Sequence, residues 1–330
     1  MPILIVTHSR DTEAISLVTR ALEQRGERAY RLDTDLYPTE VRLSLACEGP
    51  GDHPDPLGRI DGPAGPLELA DVSAVWYRRS SIGAGIPADL DPQLRRPSVE
   101  ESRRMVFGML AALEVPTVDP LEAVRRAEHK PLQLRLARRL GLDVPRTLST
   151  NDPEAVRAFA RGLPGGIVTK MMASFAVYED GVENVVFTNA LSDADLLDLD
   201  GLDLCPMTFQ ERIDKALELR VTVVGRRVFA ASIDSQASPR ARHDWRRDGA
   251  ALATAWRPYE LPAEVAARAL ALMDRLDLAY GAFDFIVTPD GRHVFLEVNP
   301  SGEFMWLVTH AGLPIHEAIA DVLAGRAARR

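Results

Sequence analysis

The stretch that most constrains this chain lies near its end. Phe283-Asp284-Phe285-Ile286-Val287 and Val294-Phe295-Leu296-Glu297-Val298-Asn299 are two apolar runs with Asp290-Gly291 between them. An Asp-Gly dipeptide flanked in this way predicts a two-residue β-hairpin. A turn centred on Asp290 and Gly291 sets Asp284 across from Glu297, and Ile286 across from Phe295. Alternation along a strand puts Asn299 on the face of Glu297. Directly opposed side chains have Cβ atoms roughly 5 Å apart, where like charges repel. Two facing carboxylates beside an amide are then either the polar solvent face of a hairpin or the ligands of a cation. As hard oxygen donors they suit Mg2+ or Mn2+ held together with substrate phosphates.

The chain around this hairpin has 330 residues, more than one hydrophobic core usually supports, so two or three domains are expected. Pro2 to Val6 reads as a buried strand, Thr12 to Arg25 as an amphipathic helix and Ala29 to Leu32 as a second strand. This βαβ-like start has no G-x-G-x-x-G in its first turn, Thr7-His8-Ser9-Arg10-Asp11, which disfavours an NAD-linked oxidoreductase. Val41 to Cys47 alternates as a strand. Residues 48–66, rich in Gly, Pro and Asp, read as a loop or hairpin tip. Val72 to Tyr77 is a further strand ending in Arg78-Arg79. The two arginines either reach a carboxylate or phosphate in the crevice of an open α/β sheet or form a solvated strand end.

Residues 98–114 read as a helix. Leu121 to Gly141 reads as a helical pair interrupted at His129-Lys130-Pro131, where Pro131 fits a first turn and leaves Lys130 at a helix start. Asp152-Pro153 is an N-cap and N1 pair. Gly165 to Lys170 is a turn feeding a strand, Val185 to Thr188 a strand and Leu191 to Leu199 a helix. Met207 to Ile213 is a strand bearing Gln210, Glu211 and Arg212. A second hairpin runs from Leu219 to Ala231 around Gly225-Arg226. Glu218, Arg220 and Thr222 share one of its faces, as a site wall or as a salt-bridged surface. Helices are expected over Leu261 to Leu276 and Pro314 to Leu323.

Charge narrows the function. A net charge of −9 argues against general nucleic-acid or anionic-membrane binding. No apolar run is long enough to span a bilayer, and the start carries no signal-peptide pattern. Cys47 and Cys205 make neither a disulfide framework nor a zinc site, so a cytoplasmic location is expected. Of 39 basic residues only three, Lys130, Lys170 and Lys215, are lysines. A chain this rich in arginine is expected to keep lysine where a compact ammonium meets phosphate oxygens, unless three have survived on the surface by chance. Arg240, Arg242, His243, Arg246 and Arg247 form a basic cluster, either a solvated loop or one facing an anion.

In chain order, Lys130, Lys170, Gln210-Glu211-Arg212-Ile213, Glu218-Leu219-Arg220, Asp284 and Glu297-Val298-Asn299 resemble the ATP-grasp ligases. Val75 to Arg79, Ser235-Gln236, Asp244-Trp245-Arg246, Pro258 to Pro262 and Phe295 to Gly302 look like the microviridin-type peptide maturases, the graspetide synthetases. The resemblance implies an α/β (α+β) chain with the ATP-grasp fold: an N-terminal Rossmann-like pre-ATP-grasp domain (1–115), a central domain with a lid (116–213) and a C-terminal antiparallel-sheet domain with the metal site (214–330). It implies that Lys130 and Lys170 contact ATP phosphates, that Gln210 to Ile213 line the adenine site and that Glu218 holds the ribose. Arg220 and Arg246 would stabilise the acyl phosphate and the departing phosphate. Asp284, Glu297 and Asn299 would hold Mg2+, as two ions, with Mn2+ an alternative. Lys215 receives no role. Where many ATP-grasp enzymes carry a glycine-rich lid loop, this chain has Met171 to Ala176 and a later Gly181, so Ser174 is only a candidate for the phosphate cover.

The activity so implied is ligation of side-chain carboxylates to amines or hydroxyls within a ribosomal precursor peptide bearing a leader and an acidic core. Neither nucleic acid nor membrane is an expected partner, and a homodimer is an assembly consistent with the reading. The alternatives are a glutamate or amino-acid ligase acting on a protein tail or small molecule, and a non-catalytic ATP-binding regulatory module.

Overall fold

The computed structural model describes residues 1–47, 57–171, 176–179, 182–185, 188–239, 241 and 244–330. The first part comprises β1 (Pro2–Thr7), α1 (Glu13–Glu23), β2 (Arg28–Asp33), β3 (Arg42–Ala46), β4 (Leu57–Gly62), β5 (Gly65–Glu68), β6 (Ala74–Tyr77), α2 (Pro92–Ala112) and β7 (Thr117–Val118). Its main sheet is parallel, in the order β2-β1-β6-β7. Residues 3–7 are all buried, as expected of a parallel strand covered on both faces. β3, β4 and β5 form a separate antiparallel sheet.

Two expectations are sharpened here. Of the two readings for residues 48–66, a loop or a hairpin tip, the hairpin holds at 57–66, where residues 57–62 and 65–68 are paired strands; residues 48–56 lie outside the described residues. Gly62 pairs with Gly65 around Pro63-Ala64, so the glycine and proline mark a tight hairpin turn, and Ile60 and Leu67 enter the core. The helix expected from residue 98 begins at Pro92, because Asp91 caps it by accepting from the Gln93 N–H at 2.8 Å; Pro97 lies inside the helix.

Next come α3 (Leu121–Ala127), α4 (Lys130–Arg139), β8 (Thr147–Thr150), α5 (Pro153–Arg161), β9 (Ile167–Lys170), β10 (Ala176–Glu179), β11 (Val182–Val185), β12 (Asn189–Ala190), α6 (Asp193–Leu197) and β13 (Met207–Glu211). The break between α3 and α4 falls at Glu128-His129, so α4 opens on Lys130-Pro131 as proline placement predicts. β12-β9-β13-β8 form an antiparallel sheet, and β10 pairs with β11. The strand expected over Val185 to Thr188 ends at Val185, and residues 186–187 lie outside the described residues.

The last part holds β14 (Leu217–Val224), β15 (Arg227–Ile233), α7 (Gly249–Leu252), β16 (Arg257–Pro258), α8 (Ala263–Leu276), β17 (Tyr280–Val287), β18 (His293–Asn299), α9 (Met305–Ala311) and α10 (Ile315–Leu323). Its antiparallel sheet runs β16-β15-β14-β17-β18. Leu219, Val221 and Val223 of β14 join Phe283, Phe285, Phe295 and the α8 side chains in one core. Glu218, Arg220 and Thr222 take the other face, as alternation predicts. Farther along that face, Val224 and Ala282 pack with α10 and the α1 side of the parallel sheet.

Asp284 faces Glu297, but the path to that pairing differs from the predicted one. Residues 288–292 connect the strands, Val287 pairs with His293, and Ile286 faces Val294 rather than Phe295. An irregularity between Asp284 and Phe285 then absorbs one residue of β18, and the two offsets cancel at Glu297. The cause is packing. Phe295 pairs with Phe285 and packs edge-on against Phe283 and Phe285, at ring separations of 5.9 and 5.7 Å. The bulge lets Phe295 enter the core while Glu297, two residues on, emerges on the opposite face.

Candidate active site

A cleft of about 890 Å3 lies between the β8–β13 sheet and the five-stranded sheet. It is lined by every predicted site residue: Lys130, Lys170, Gln210, Glu211, Arg212, Ile213, Glu218, Arg220, Arg246, Asp284, Glu297 and Asn299. Lys215 lines it too, so all three lysines of the chain face one cavity.

The centre is a row of charge laid across three strands. Arg220 on β14 pairs in register with Asp284 on β17, which faces Glu297 on β18. Arg220 Nη1 lies 2.8 Å from Asp284 Oδ1. The Asn299 amide donates to Asp284 Oδ2 and Glu297 Oε1, both at 3.3 Å, and so bridges the two carboxylates. Lys130 Nζ lies 2.9 Å, and Lys170 Nζ 3.8 Å, from Glu297 Oε2. Lys130 opens α4, where an ammonium opposes the positive end of the helix dipole. That placement suits a side chain kept to share an anion with the helix start. Lys170 closes β9 and reaches the row from the other sheet.

The electrostatics follow from this crowding. Burial raises the Asp284 carboxyl above the usual range and the Glu297 charge raises it further, against the pull of Arg220 and Arg246. Burial pushes Glu297 the same way, but Lys170 and Lys130 outweigh it and hold that carboxyl at about 2. Burial lowers the Lys170 ammonium, and Lys130 and Arg246 lower it further, against the carboxylates. The donor set fits a divalent cation. Among the described residues no three His, Cys, Asp or Glu side chains cluster as ligands, but two carboxylates with an amide that can turn its oxygen inward leave positions open for phosphate oxygens and water, as Mg2+ prefers.

The flanks are equally ordered. The Gln210 side chain is buried and donates to Thr147 Oγ1 at 3.0 Å, so it offers little to a ligand. Beyond Glu211 the chain leaves the ladder; the Arg212 N–H bonds the Gly166 carbonyl, and the Ile213 N–H has no backbone partner among the described residues. Burial raises the Glu218 carboxyl, opposed by Lys215, whose Nζ is 3.0 Å away, and by Ser235. Arg246 is clasped by Asp244 through Nε at 2.8 Å and Nη2 at 2.6 Å, which raises its pKa. Of the remaining basic cluster, Arg247 reaches the Thr188 carbonyl and Asn189, whereas Arg240, Arg242 and His243 lie outside the described residues. Ser174 also lies outside them; Met171 lines the cleft.

Sequence reasoning misses two supports, Gln133 and Trp306, and leaves a third, Arg78, between two readings. The Gln133 side chain accepts from the Val298 N–H at 2.9 Å and donates to the Val298 carbonyl at 2.8 Å, pinning the residue between Glu297 and Asn299 to α4. Arg78, 2% exposed, reaches Glu303 Oε2 at 2.7 Å and the Ser301 and Gly302 carbonyls, and Arg79 also approaches Glu303 at 3.2 Å. Of the two readings for this pair, Arg78 meets the carboxylate one, in the loop just after Asn299. Gly302 is required there, since a Cβ would sit 2.4 Å from the Ala282 Cβ. Trp306 lies under Arg220, 5.2 Å from the guanidinium carbon to the ring centre. No local signal marks Gln133 or Trp306; Arg78 belongs to a motif that sequence alone does not resolve.

Lysines from α4 and β9 meeting a carboxylate, carboxylate and amide set on an antiparallel sheet define the ATP-grasp class of ligases. Residues 2–125 match the family model of the MvdD pre-ATP grasp domain. The chain is similar to the macrocyclase MdnC of Microcystis aeruginosa MRC, solved with precursor peptide MdnA: 46% identity over 98% of this chain and 100% of that one, TM-score 0.89. It is similar to a RiPP-associated ATP-grasp ligase of Chryseobacterium gregarium, solved with ADP and a leader and core peptide: 40% identity over 99% and 98%, TM-score 0.94. Macrocyclase MdnB of Microcystis aeruginosa MRC shares 35% identity over 98% of each chain, TM-score 0.82. Curated protein sequences give no match. The chain belongs to the family of ATP-grasp RiPP ligases that includes these macrocyclases, and it is an ATP-dependent ligase with the ATP-grasp fold.

Proposed function

We propose that the protein activates side-chain carboxylates of a ribosomal precursor peptide as acyl phosphates and joins them to amines or hydroxyls of the same peptide. The observation that carries this is the convergence of Lys130 and Lys170 on Glu297 beside the Arg220–Asp284 pair, in a chain 46% identical to a macrocyclase solved with its precursor. Bound ATP supplies the phosphoryl group, and Mg2+, as two ions or replaced by Mn2+, neutralises charge along its phosphates.

The protein side chains do the rest. Lys130 and Lys170 would hold the phosphate oxygens, and Asp284, Glu297 and Asn299 would hold the metal, which would supply charge neutralisation there. Gln210, Glu211, Arg212 and Ile213 line the adenine, with the Ile213 peptide as the contributing backbone, and Glu218, held by Lys215, takes the ribose. Arg220 and Arg246 face the acyl phosphate and the departing phosphate, where fixed cations lower the cost of developing charge. A carboxylate oxygen attacks the γ-phosphorus and ADP leaves. The amine or hydroxyl then attacks the acyl carbon, the C–O bond to phosphate breaks with its electrons going to phosphate, and the nucleophile's proton passes to that phosphate or to water. Each link thus removes one water from the peptide while ATP becomes ADP and phosphate.

This reading takes the three-domain division at 1–115, 116–213 and 214–330, a peptide with leader and acidic core, a cytoplasmic location and a homodimer as its working frame. No helix among the described residues is long and apolar enough to cross a membrane. Purified protein with Mg2+, ATP and the candidate peptide is expected to yield ADP, phosphate and a product lighter by one water per link. A lengthened glutamate tail with ADP formation would overturn the macrocyclase reading in favour of an amino-acid ligase. Full biological effect from an Asp284→Asn variant would overturn catalysis altogether.

A further inference from the structure

A second cavity, of about 830 Å3, lies against the parallel-sheet part of the molecule. Ile82 is its buried floor, α2 supplies Arg103, Arg104 and Phe107, and α3 supplies Arg125. Glu100, Arg103, Arg104 and Phe107 recur at the spacing of one helix face. The Arg125 guanidinium carbon stands 4.9 Å from the Phe107 ring centre, which holds the cation in place without neutralising it. Arg104 is paired with Glu100 at 3.1 Å, whereas Arg103 and Arg125 have no ion-pair partner among the described residues. Three arginines against one carboxylate make this a cationic groove on a chain of net charge −9.

The groove adjoins the active-site cleft. Arg79 lines the cleft and Ser80 the groove; Glu128 lines the cleft and Arg125, one helical turn earlier, the groove. Tyr77 Oη and Ser80 Oγ, 3.0 Å apart, tie that shared wall together. One helical turn is about 5 Å, and an extended peptide advances about 3.3 Å per residue, so one strand of substrate spans both cavities with only a few residues between them.

We propose that this groove docks an acidic segment of the peptide substrate, flanking the residue being joined in the cleft. The inference rests on the ligase reading for its substrate class. Arg103 and Arg125 take the flanking carboxylates through the planar forks that suit them, and the exposed setting makes the contact sensitive to salt. The site discriminates by charge around the reacting residue and leaves the chemistry to the cleft.

The test uses the full chain and a fluorescein-labelled peptide of about twelve residues rich in Glu, Asp and Thr, with a Gln and Asn counterpart as control. Binding is read by anisotropy, and dehydration of the same peptide with Mg2+ and ATP is read by mass. R103A/R125A is expected to weaken binding of the acidic peptide about tenfold at low salt, to raise its KM similarly and to leave kcat and the KM for ATP within about twofold. The loss shrinks at high salt, R103K/R125K recovers only part of it because an ammonium keeps the charge and loses the fork, and the neutral peptide binds wild type and variant alike. Unchanged affinity in R103A/R125A overturns the docking groove, whether or not wild type turns the peptide over. A changed oligomeric state in the variant, with peptide affinity unaltered, assigns the groove to a second copy of this chain and also overturns it. Salt-dependent binding lost in the variant, with no dehydration by wild type, keeps the groove and sinks the ligase reading instead.

Discussion

The two faces of β14, β17 and β18 differ by a single pleat and carry opposite kinds of information. One presents Leu219, Val221, Phe283, Phe285, Phe295 and Val298, all nearly inaccessible and packed on α4 and α8. The other presents Glu218, Arg220, Asp284, Glu297 and Asn299, with like charges facing each other and lysines held partly dehydrated. Every group on the first face gains by leaving water. On the second, burial works against the charges, and only mutual pairing makes the arrangement tolerable. The same strands thus place one set of side chains in the core and the alternate set in the cleft. The bulge beside Asp284 is where that division is enforced, since it sends Phe295 one way and Glu297 the other.

The comparison breaks most sharply at Glu297. Glu297→Gln is expected to lower kcat about a thousandfold or more, roughly 4 kcal/mol of barrier, with unfolding free energy changed by about 1 kcal/mol or less. ADP release and thermal unfolding measured together check this, and parallel loss of both would mean that the charged face is structural. Phe285→Ala is expected to do the reverse. A cavity among three packed rings costs about 3–4 kcal/mol of stability, while kcat per folded molecule at low temperature stays within about threefold. Denaturant titration alongside steady-state kinetics separates the two quantities. Gln133→Ala should blur the division. Losing both hydrogen bonds to Val298 costs about 1–3 kcal/mol, and the loosened Glu297 and Asn299 raise the Mg2+ concentration for half-maximal rate about threefold. A stability loss with an unshifted Mg2+ dependence would show the faces to be mechanically independent.

Legibility in the sequence divides along the same line. Alternation makes the strands of 217–224 and 280–287 readable, because each residue there answers to its own face. The Asp-Gly rule pairs Asp284 with Glu297, yet misses the longer turn and the bulge, which are imposed by where Phe295 finds room. Composition marks the lysines by their rarity, and all three line the cleft. Lys215 shows the limit: its rarity is visible, but its partner Glu218 is settled by the turn geometry between β13 and β14. Gln133, 165 residues from Val298, and Asp119, which accepts from the Ala279 and Tyr280 N–H groups, act across distances no local pattern spans. The helix at 305–311 escapes notice because its polar and apolar residues serve packing around Trp306 and no clean periodicity is left. Residues 57–68 are obscured because glycine and proline mark a hairpin turn and an irregular loop alike.

Arg78 gives the molecule an indivisibility that its separate sheets do not suggest. Its guanidinium leaves the end of β6, is flanked by Trp76 and Phe304, and terminates on Glu303 and two carbonyls of the segment that follows Asn299. A fragment cut away from the first hundred residues would strip that carboxylate of both its arginines, leaving it the Phe304 and Met305 N–H groups, and would leave the Gly302 carbonyl only the Tyr280 hydroxyl. In a chimera exchanging the leading module with a relative's, Arg78 and Glu303 have to travel as one unit, so the natural seam for recombination runs around this pair and not between the sheets.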